Sequence, residues 1–306
     1  HHTAGTSAAA PAAAAAEVPA VWWMELLPNR RPVELTVRTL PTAAIMAPSP
    51  EVAAAQRTLL DDADVAVDVH VVPPGIPTDA LWARRSEREA ARAAFGWSDR
   101  TVVGLVARLD RNKGQASVID AASRLLEADD TLHFVIAGGA VLGWEGPIAE
   151  QLATLVDRRG LHDRVEFLGH LEDTVPVQAA LDVAVNASVH ESFGLSVLES
   201  MTLGTPVVAT RTSGSCFLLD DGRAGWLCDP LDNGALARTI DAAVRALRTV
   251  DRPDELDRVR NAQRRARGFD SSRTARHVAE LLRHVAGGRA GTERPGSPGA
   301  ARTTGR

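Results

Sequence analysis

The feature that most constrains the fold is an alternation of short apolar runs with stretches of helical length, sustained from Thr101 to Ala209. Strands are expected at Thr101 to Ala107, Leu132 to Ala137, Val165 to Leu168, Val183 to Asn186 and Pro206 to Ala209. Helices fill the intervals, at Gln115 to Glu127, Pro147 to Arg159, Thr174 to Ala180 and Leu195 to Leu203. Short strands joined by helices of this length specify a parallel sheet with helices on both faces, hence an α/β fold. The ligand of such a sheet is expected beyond the carboxyl ends of its strands, at a topological switch point.

The first part of the chain repeats the pattern on a smaller scale. Strands are expected at Pro19 to Met24, Ala43 to Pro48 and Val67 to Val72, and the Ala-rich run Ala8 to Ala16 favours helix. Ser49 is placed to cap a helix whose first position is Pro50 and which runs to about Leu60. Pro73-Pro74-Gly75 suits a linker, which places a domain boundary near residue 78. A charged helix around Ser86 to Phe95 opens the second domain, 79–250, which a helix from Leu231 to Leu247 closes. Two further helical runs, Glu255 to Arg267 and Ser271 to Ala286, make up 251–286. Beyond Gly287 nothing apolar remains to bury, so 287–306 is expected to be a disordered tail.

Composition limits the function classes. With 45% hydrophobic and 24% charged residues among 306, the chain has apolar material for one large core or two modest ones, and two domains are the default expectation. A formal net charge of -5 argues against a generic nucleic-acid binder, so an anionic ligand must be met by locally placed cations. Cys216 and Cys228 lie in no metal-ligand spacing, and no Asp-x-Asp motif is present. No apolar run reaches the roughly 20 residues of a membrane helix, and the chain reads as a soluble, cytoplasmic one.

The chemistry concentrates in His190-Glu191-Ser192-Phe193-Gly194-Leu195-Ser196-Val197-Leu198-Glu199, where seven residues separate two glutamates across a loop-to-helix junction. Gly194 lets the backbone approach a ligand, and the free N–H groups that follow it face a phosphate with the favourable end of the helix dipole. Glu199, one turn into the helix, can accept hydrogen bonds from vicinal ribose hydroxyls. Taken alone, two such glutamates are more often surface-helix residues than a site.

With Gly204-Thr-Pro206-Val207-Val208 following, the segment resembles the signature of retaining glycosyltransferase family 4, whose fold is GT-B, two Rossmann-like domains with parallel sheets. The resemblance extends to Ala107-Arg108-Leu109 with Lys113-Gly114, to Ile136-Ala137-Gly138-Gly139, to Arg164 through Gly169, and to Asp221-Gly222 with Gly225. It covers about two thirds of the chain.

The resemblance implies that Arg108 and Lys113 clamp the donor diphosphate, and that Glu191 meets sugar hydroxyls or the leaving-group side. Gly138 and Gly139 would bring their loop close to the nucleotide. Leu168, Gly169 and His170 would read the base edge through backbone groups, the Gly194 and Leu195 amides would hold the diphosphate, and Glu199 the ribose. The expected substrates are a nucleoside-diphosphate sugar, with UDP or GDP preferred, and a glycan, lipid or small-molecule acceptor. Peripheral membrane contact is compatible with such an acceptor; neither a metal, a cofactor, nucleic acid nor an obligate protein partner is implied.

Departures from the family pattern qualify this. The glycine-rich loop usual near the family's N-terminus is not found, and the first part of the N-terminal domain is expected to be missing. Glu25 stands where a His is common, and Phe217 where a Glu is usual, which puts donor-sugar contacts in doubt. Two other readings stay open: a non-catalytic nucleotide-sugar-binding module, and an epimerase or phosphorylase of the same fold.

Overall fold

The computed structural model describes residues 12–16, 18–24, 42–139, 146–230, 232–249 and 253–287. Among the described residues the architecture is α/β, with two wholly parallel sheets. The first has three strands, β1 (Ala20–Trp23), β2 (Thr42–Ala47) and β3 (Asp68–Val71), in that order. Alternation along β2 serves two layers. Ile45 and Ala47 pack with Val52, Leu59 and Leu60 of helix α1 (Pro50–Asp62), while Ala44 and Met46 face Leu281 on the other side. Ser49 caps α1 by accepting from the Val52 N–H, and Pro50 occupies the first turn, where its missing N–H costs nothing. Residues 12–15 are also helical.

After α2 (Thr78–Ala83) and α3 (Arg88–Phe95), the second sheet is built from β4 (Thr101–Val106), β5 (Leu132–Ala137), β6 (Val165–Gly169), β7 (Val183–Asn186), β8 (Val207–Thr210) and β9 (Trp226–Cys228). Its order is β6-β5-β4-β7-β8-β9, that of a dinucleotide-binding Rossmann sheet. One face carries α4 (Gln115–Leu125), α5 (Gly146–Arg159) and α9 (Asn233–Arg248). The other carries α3, α6 (Val175–Ala180), α7 (Leu195–Leu203) and α10 (Pro253–Ala266). The strands divide between these layers with a period of two: Val103, Phe134 and Val208 go to the first, and Val102, Val135 and Val207 to the second. The chain reverses direction across the sheet between β4 and β7, whose ladder pairs only Val103 with Val183 and Gly104 with Ala184. The crevice above that short ladder is the switch point.

Helix α11 (Ser271–Gly287) returns to the first sheet and supplies Leu281 to its core. The outgoing linker and the returning chain run side by side, with Ile76 N–H donating to Phe269 O at 3.0 Å and Ser271 N–H to Ile76 O at 2.9 Å. The Asp270 carboxylate accepts from the Thr78 hydroxyl at 2.9 Å and from the Thr78 N–H at 3.2 Å.

Several elements, the unforeseen α2 among them, depart from the sequence expectations. The charged helix starts at Arg88, because a 3-10 turn, Arg84–Glu87, and α2 precede it. The short helix α8 (Ser213–Leu218) and the edge strand β9 had no expected counterpart, each being too brief to show a period. Glu25 and the expected tail lie outside the described residues.

Candidate active site

Two helices begin at the switch point, and both start with glycine. Gly114 precedes α4 and Gly194 precedes α7; both are left-handed, with φ of 72° and 99°, and neither helix has a side-chain cap. The first-turn N–H groups on both sides of the crevice are thus left for an acceptor from outside, and two dipoles favour an anion there. Gly114 is dictated by close approach as well: a Cβ there would lie 2.1 Å from Ala187 O, at the end of β7.

Lys113, just ahead of α4, meets the first glutamate of the signature. Its Nζ lies 2.6 Å from Glu191 Oε2, and the side chains are only 24% and 14% exposed. Ser188 also donates to Glu191 Oε2, at 3.4 Å. The Glu191 carbonyl accepts from Gly214 N–H at 2.8 Å and from the Ser213 hydroxyl at 3.1 Å, so α8 holds the loop from behind. On the other side Asn112 binds His190 through both ends of its carboxamide, Nδ2 donating to His190 O at 2.7 Å and Oδ1 accepting from His190 N–H at 2.9 Å. Of the 34 Lys and Arg residues in the chain, Lys113 is the only lysine, a signal that the sequence reading passed over.

Arg108 is at the rim of the same crevice. Its guanidinium pairs with Asp110 at 2.9 Å rather than with Glu191, and stays 38% exposed. Beside it, Gly138 has φ 144°, and a Cβ would fall 1.9 Å from Ala107 O. The Gly138 N–H donates to Gly169 O at 2.8 Å, and a Cβ on Gly139 would stand 2.7 Å from the Cβ of His170. The ends of β4, β5 and β6 are thereby drawn into one wall. Leu168 is half-buried in it, and Gly169 and His170 are exposed.

Glu199 faces Gln178 of α6, whose Nε2 donates to Glu199 Oε2 at 2.7 Å. Burial pushes the Glu199 carboxyl above its ordinary range, and the Gln178 hydrogen bond opposes the shift. Gln178 is itself fully buried, and its orientation is fixed because Oε1 accepts from the Ser200 hydroxyl at 3.0 Å. Two directly bonded pairs thus join sequence-named residues, Lys113 with Glu191 through side chains and Gly138 with Gly169 through the backbone, while Arg108 pairs with Asp110 and Glu199 with Gln178. Asn112, Gln178, Ser213 and Gly214 were not foreseen. Phe217, at the position where Glu is usual, packs edge-on against Phe269, with ring centroids 5.6 Å apart, and under the Arg265 guanidinium.

A cavity of about 770 Å³ opens at the opposite, amino-terminal end of the strands, between Arg88, Thr101, Asp182 and Arg248. Two of its cations are already paired: Arg88 holds Asp182 and two carbonyls, and Arg248 holds Asp129 and two threonine hydroxyls. The carboxyl ends of α6, α7 and α9 converge there, which disfavours an anion. Among the described residues no cluster of three or more His, Cys, Asp or Glu is placed to hold a metal, and no helix is long and apolar enough to cross a membrane.

Residues 87–258, which contain this whole site, match the family model described as glycosyl transferases group 1. The chain is 32% identical over 226 residues to 2-deoxystreptamine glucosyltransferase of Streptomyces kanamyceticus, a match that covers 72% of this chain and 54% of that protein. It is 39% identical over 171 residues to D-inositol 3-phosphate glycosyltransferase of Corynebacterium jeikeium, covering 54% of this chain and 40% of the relative. The chain thus spans about half the length of the curated relatives it matches. Among solved structures, HepE of Anabaena in complex with UDP superposes with a TM-score of 0.80 at 25% identity, over 92% of this chain and 77% of that one. The same protein has also been solved with UDP-glucose. The two parallel sheets joined by a returning helix are those of a GT-B fold.

Proposed function

The chain belongs to the glycosyl transferases group 1 family, and we propose that it binds a nucleoside-diphosphate sugar at the switch point and transfers the sugar with retention of configuration, as in family 4. In this reading the three-stranded unit, 1–78, lies on the acceptor side and 79–250 is the donor-binding domain. The observation that carries it is the pairing of Lys113 with Glu191 between two uncapped helix starts. A departing nucleoside diphosphate accumulates negative charge, and fixed cations and N–H dipoles aimed at it stabilise that charge without reorganisation. Lys113, Arg108 and the Gly194 and Leu195 amides supply these groups, in the role that a divalent cation fills elsewhere.

The Lys113–Glu191 pair is an exchangeable contact. When the diphosphate takes Lys113, Glu191 is released toward the sugar hydroxyls. Glu199 receives the ribose hydroxyls, and the glycine wall of Gly138, Gly139 and Gly169 lets nucleotide and backbone approach. No side chain is assigned as nucleophile. The acceptor attacks on the face of the departing diphosphate, which takes up the acceptor proton. UDP is the favoured nucleotide, because the HepE structures hold UDP and UDP-glucose. The acceptor is a glycan, lipid or small molecule.

The stereochemical claim is tested by letting the protein hydrolyse α-linked UDP-, GDP- or ADP-glucose without acceptor and following the first-formed anomer by proton NMR. The α anomer is expected ahead of mutarotation. First appearance of the β anomer overturns retention, and tight binding with no turnover, alone or with added acceptors, favours a non-catalytic binding module.

A further inference from the structure

We propose that Asn112 is a positioning residue of this site: its carboxamide sets the register between the two loops of the crevice and so holds Lys113 against Glu191. The backbone ladder between β4 and β7 pairs nothing beyond Gly104 and Ala184, so the loops that leave these strands rise without strand pairing. They are rejoined at Asn112. Its Nδ2 donates to His190 O at 2.7 Å, its Oδ1 accepts from His190 N–H at 2.9 Å, and its own carbonyl accepts from Val189 N–H at 2.8 Å. The side chain thus satisfies the donor and the acceptor of one residue, as a neighbouring strand would.

The clamped residues are the direct chain neighbours of the ion pair, Asn112 before Lys113 and His190 before Glu191. A slip of one residue in either loop would carry the ammonium away from the carboxylate. The near side is fixed too, since Asp110 accepts from the Asn112 N–H at 2.8 Å. Residue type follows from the geometry: aspartate keeps an acceptor for the His190 N–H but sets a second lone pair against His190 O, and alanine keeps neither contact. Both hydrogen bonds lie at the protein surface, so water can replace them and the loss falls on register rather than on folding.

The consequence for donor binding rests on the donor-site reading; the clamp itself does not. Because Lys113 is the only lysine, its amine reports the contact directly. The experiment is acylation by an N-hydroxysuccinimidyl acetate, with Lys113 resolved from the α-amine by peptide mass mapping. It compares wild type, Asn112→Ala, Glu191→Gln and the double variant, with thermal melts alongside. The expected result is a rise of about three- to tenfold in the Lys113 rate for each single variant, the scale of a lost hydrogen-bonded contact. The double variant should react no faster than the faster single one, because both act on one pair. A wild-type rate in Asn112→Ala, or rates that multiply in the double variant, overturns the proposal. Should Asn112→Ala not fold, Asn112→Asp is expected at an intermediate rate, and a wild-type rate there overturns the proposal as well. UDP added to the wild type should slow acylation, and Asn112→Ala should need about tenfold more UDP for the same protection. Absence of protection in the wild type counts against the donor reading alone and leaves the acylation comparison standing.

Discussion

Burial raises the Glu199 carboxyl above its ordinary range, and the Gln178 amide 2.7 Å away offsets only part of that shift. A carboxyl whose folded-state pKa is raised stabilises the fold fully at pH values below its unfolded value and loses that contribution as the pH climbs through the folded value. Above its folded value the ionised Glu199 is therefore a cost to the fold. Glu199→Gln keeps an acceptor for Gln178 and removes the charge. It is expected to melt above the wild type at pH 7, with the gap closing toward pH 4, and to lose affinity for nucleotides through the ribose. Melts across that pH range with parallel nucleotide titrations check both. The two glutamates were legible in the sequence because their spacing and the glycine between them are local. Asn112 and Gln178 were not, since each acts through a residue far away in the chain, His190 or Glu199, and an Asn or a Gln in a polar run carries no mark of that.

The loop carrying Lys113 depends on Gly114, where the backbone is left-handed and a Cβ would press to 2.1 Å from Ala187 O. Gly96 provides the comparison, with φ 73° and nothing within 4 Å of an added Cβ. Gly96→Ala is expected to lose only the backbone preference, ~1 kcal/mol. Gly114→Ala is expected to lose ~2 to 3 kcal/mol more, because it must part the two loops as well, and to weaken nucleotide binding. Urea unfolding of the two variants measures the difference. The elements themselves were largely legible, since strands alternating with helices fix a parallel sheet: β5, β7 and α7 start and end where the apolar runs do. The strand β9 was missed because Trp226–Cys228 is short and lies at the sheet edge, where pairing with β8 decides. The helix α8 was missed because Ser-Gly-Ser reads as a turn until Thr212 caps it.

At the scale of the molecule, the two sheets are tied where the chain crosses out at Ile76 and returns at Asp270. Ser272 and Thr78, through hydroxyl and N–H groups, bring the Asp270 carboxyl down to about 2. A depressed carboxyl stabilises above its ordinary range, near pH 4, and loses that contribution as the pH falls toward its folded value. Asp270→Asn is thus expected to melt below the wild type at pH 7, with the two converging near pH 2. Thermal melts in that window test the tie. Asp270 was not legible in advance, because its partner Thr78 lies on the far side of the second sheet in chain order; the returning helix was readable from its own apolar period.

Whether the crevice between β4 and β7 takes a nucleotide donor is tested most directly by calorimetric titration with UDP, GDP and ADP, each alone and as its sugar conjugate. One nucleotide is expected to bind selectively with micromolar affinity, and Lys113→Ala and Glu199→Ala are each expected to weaken it about 10- to 100-fold, the scale of a lost hydrogen bond to a charged group. Binding to none of the three, or binding that both variants leave intact, would contradict the account.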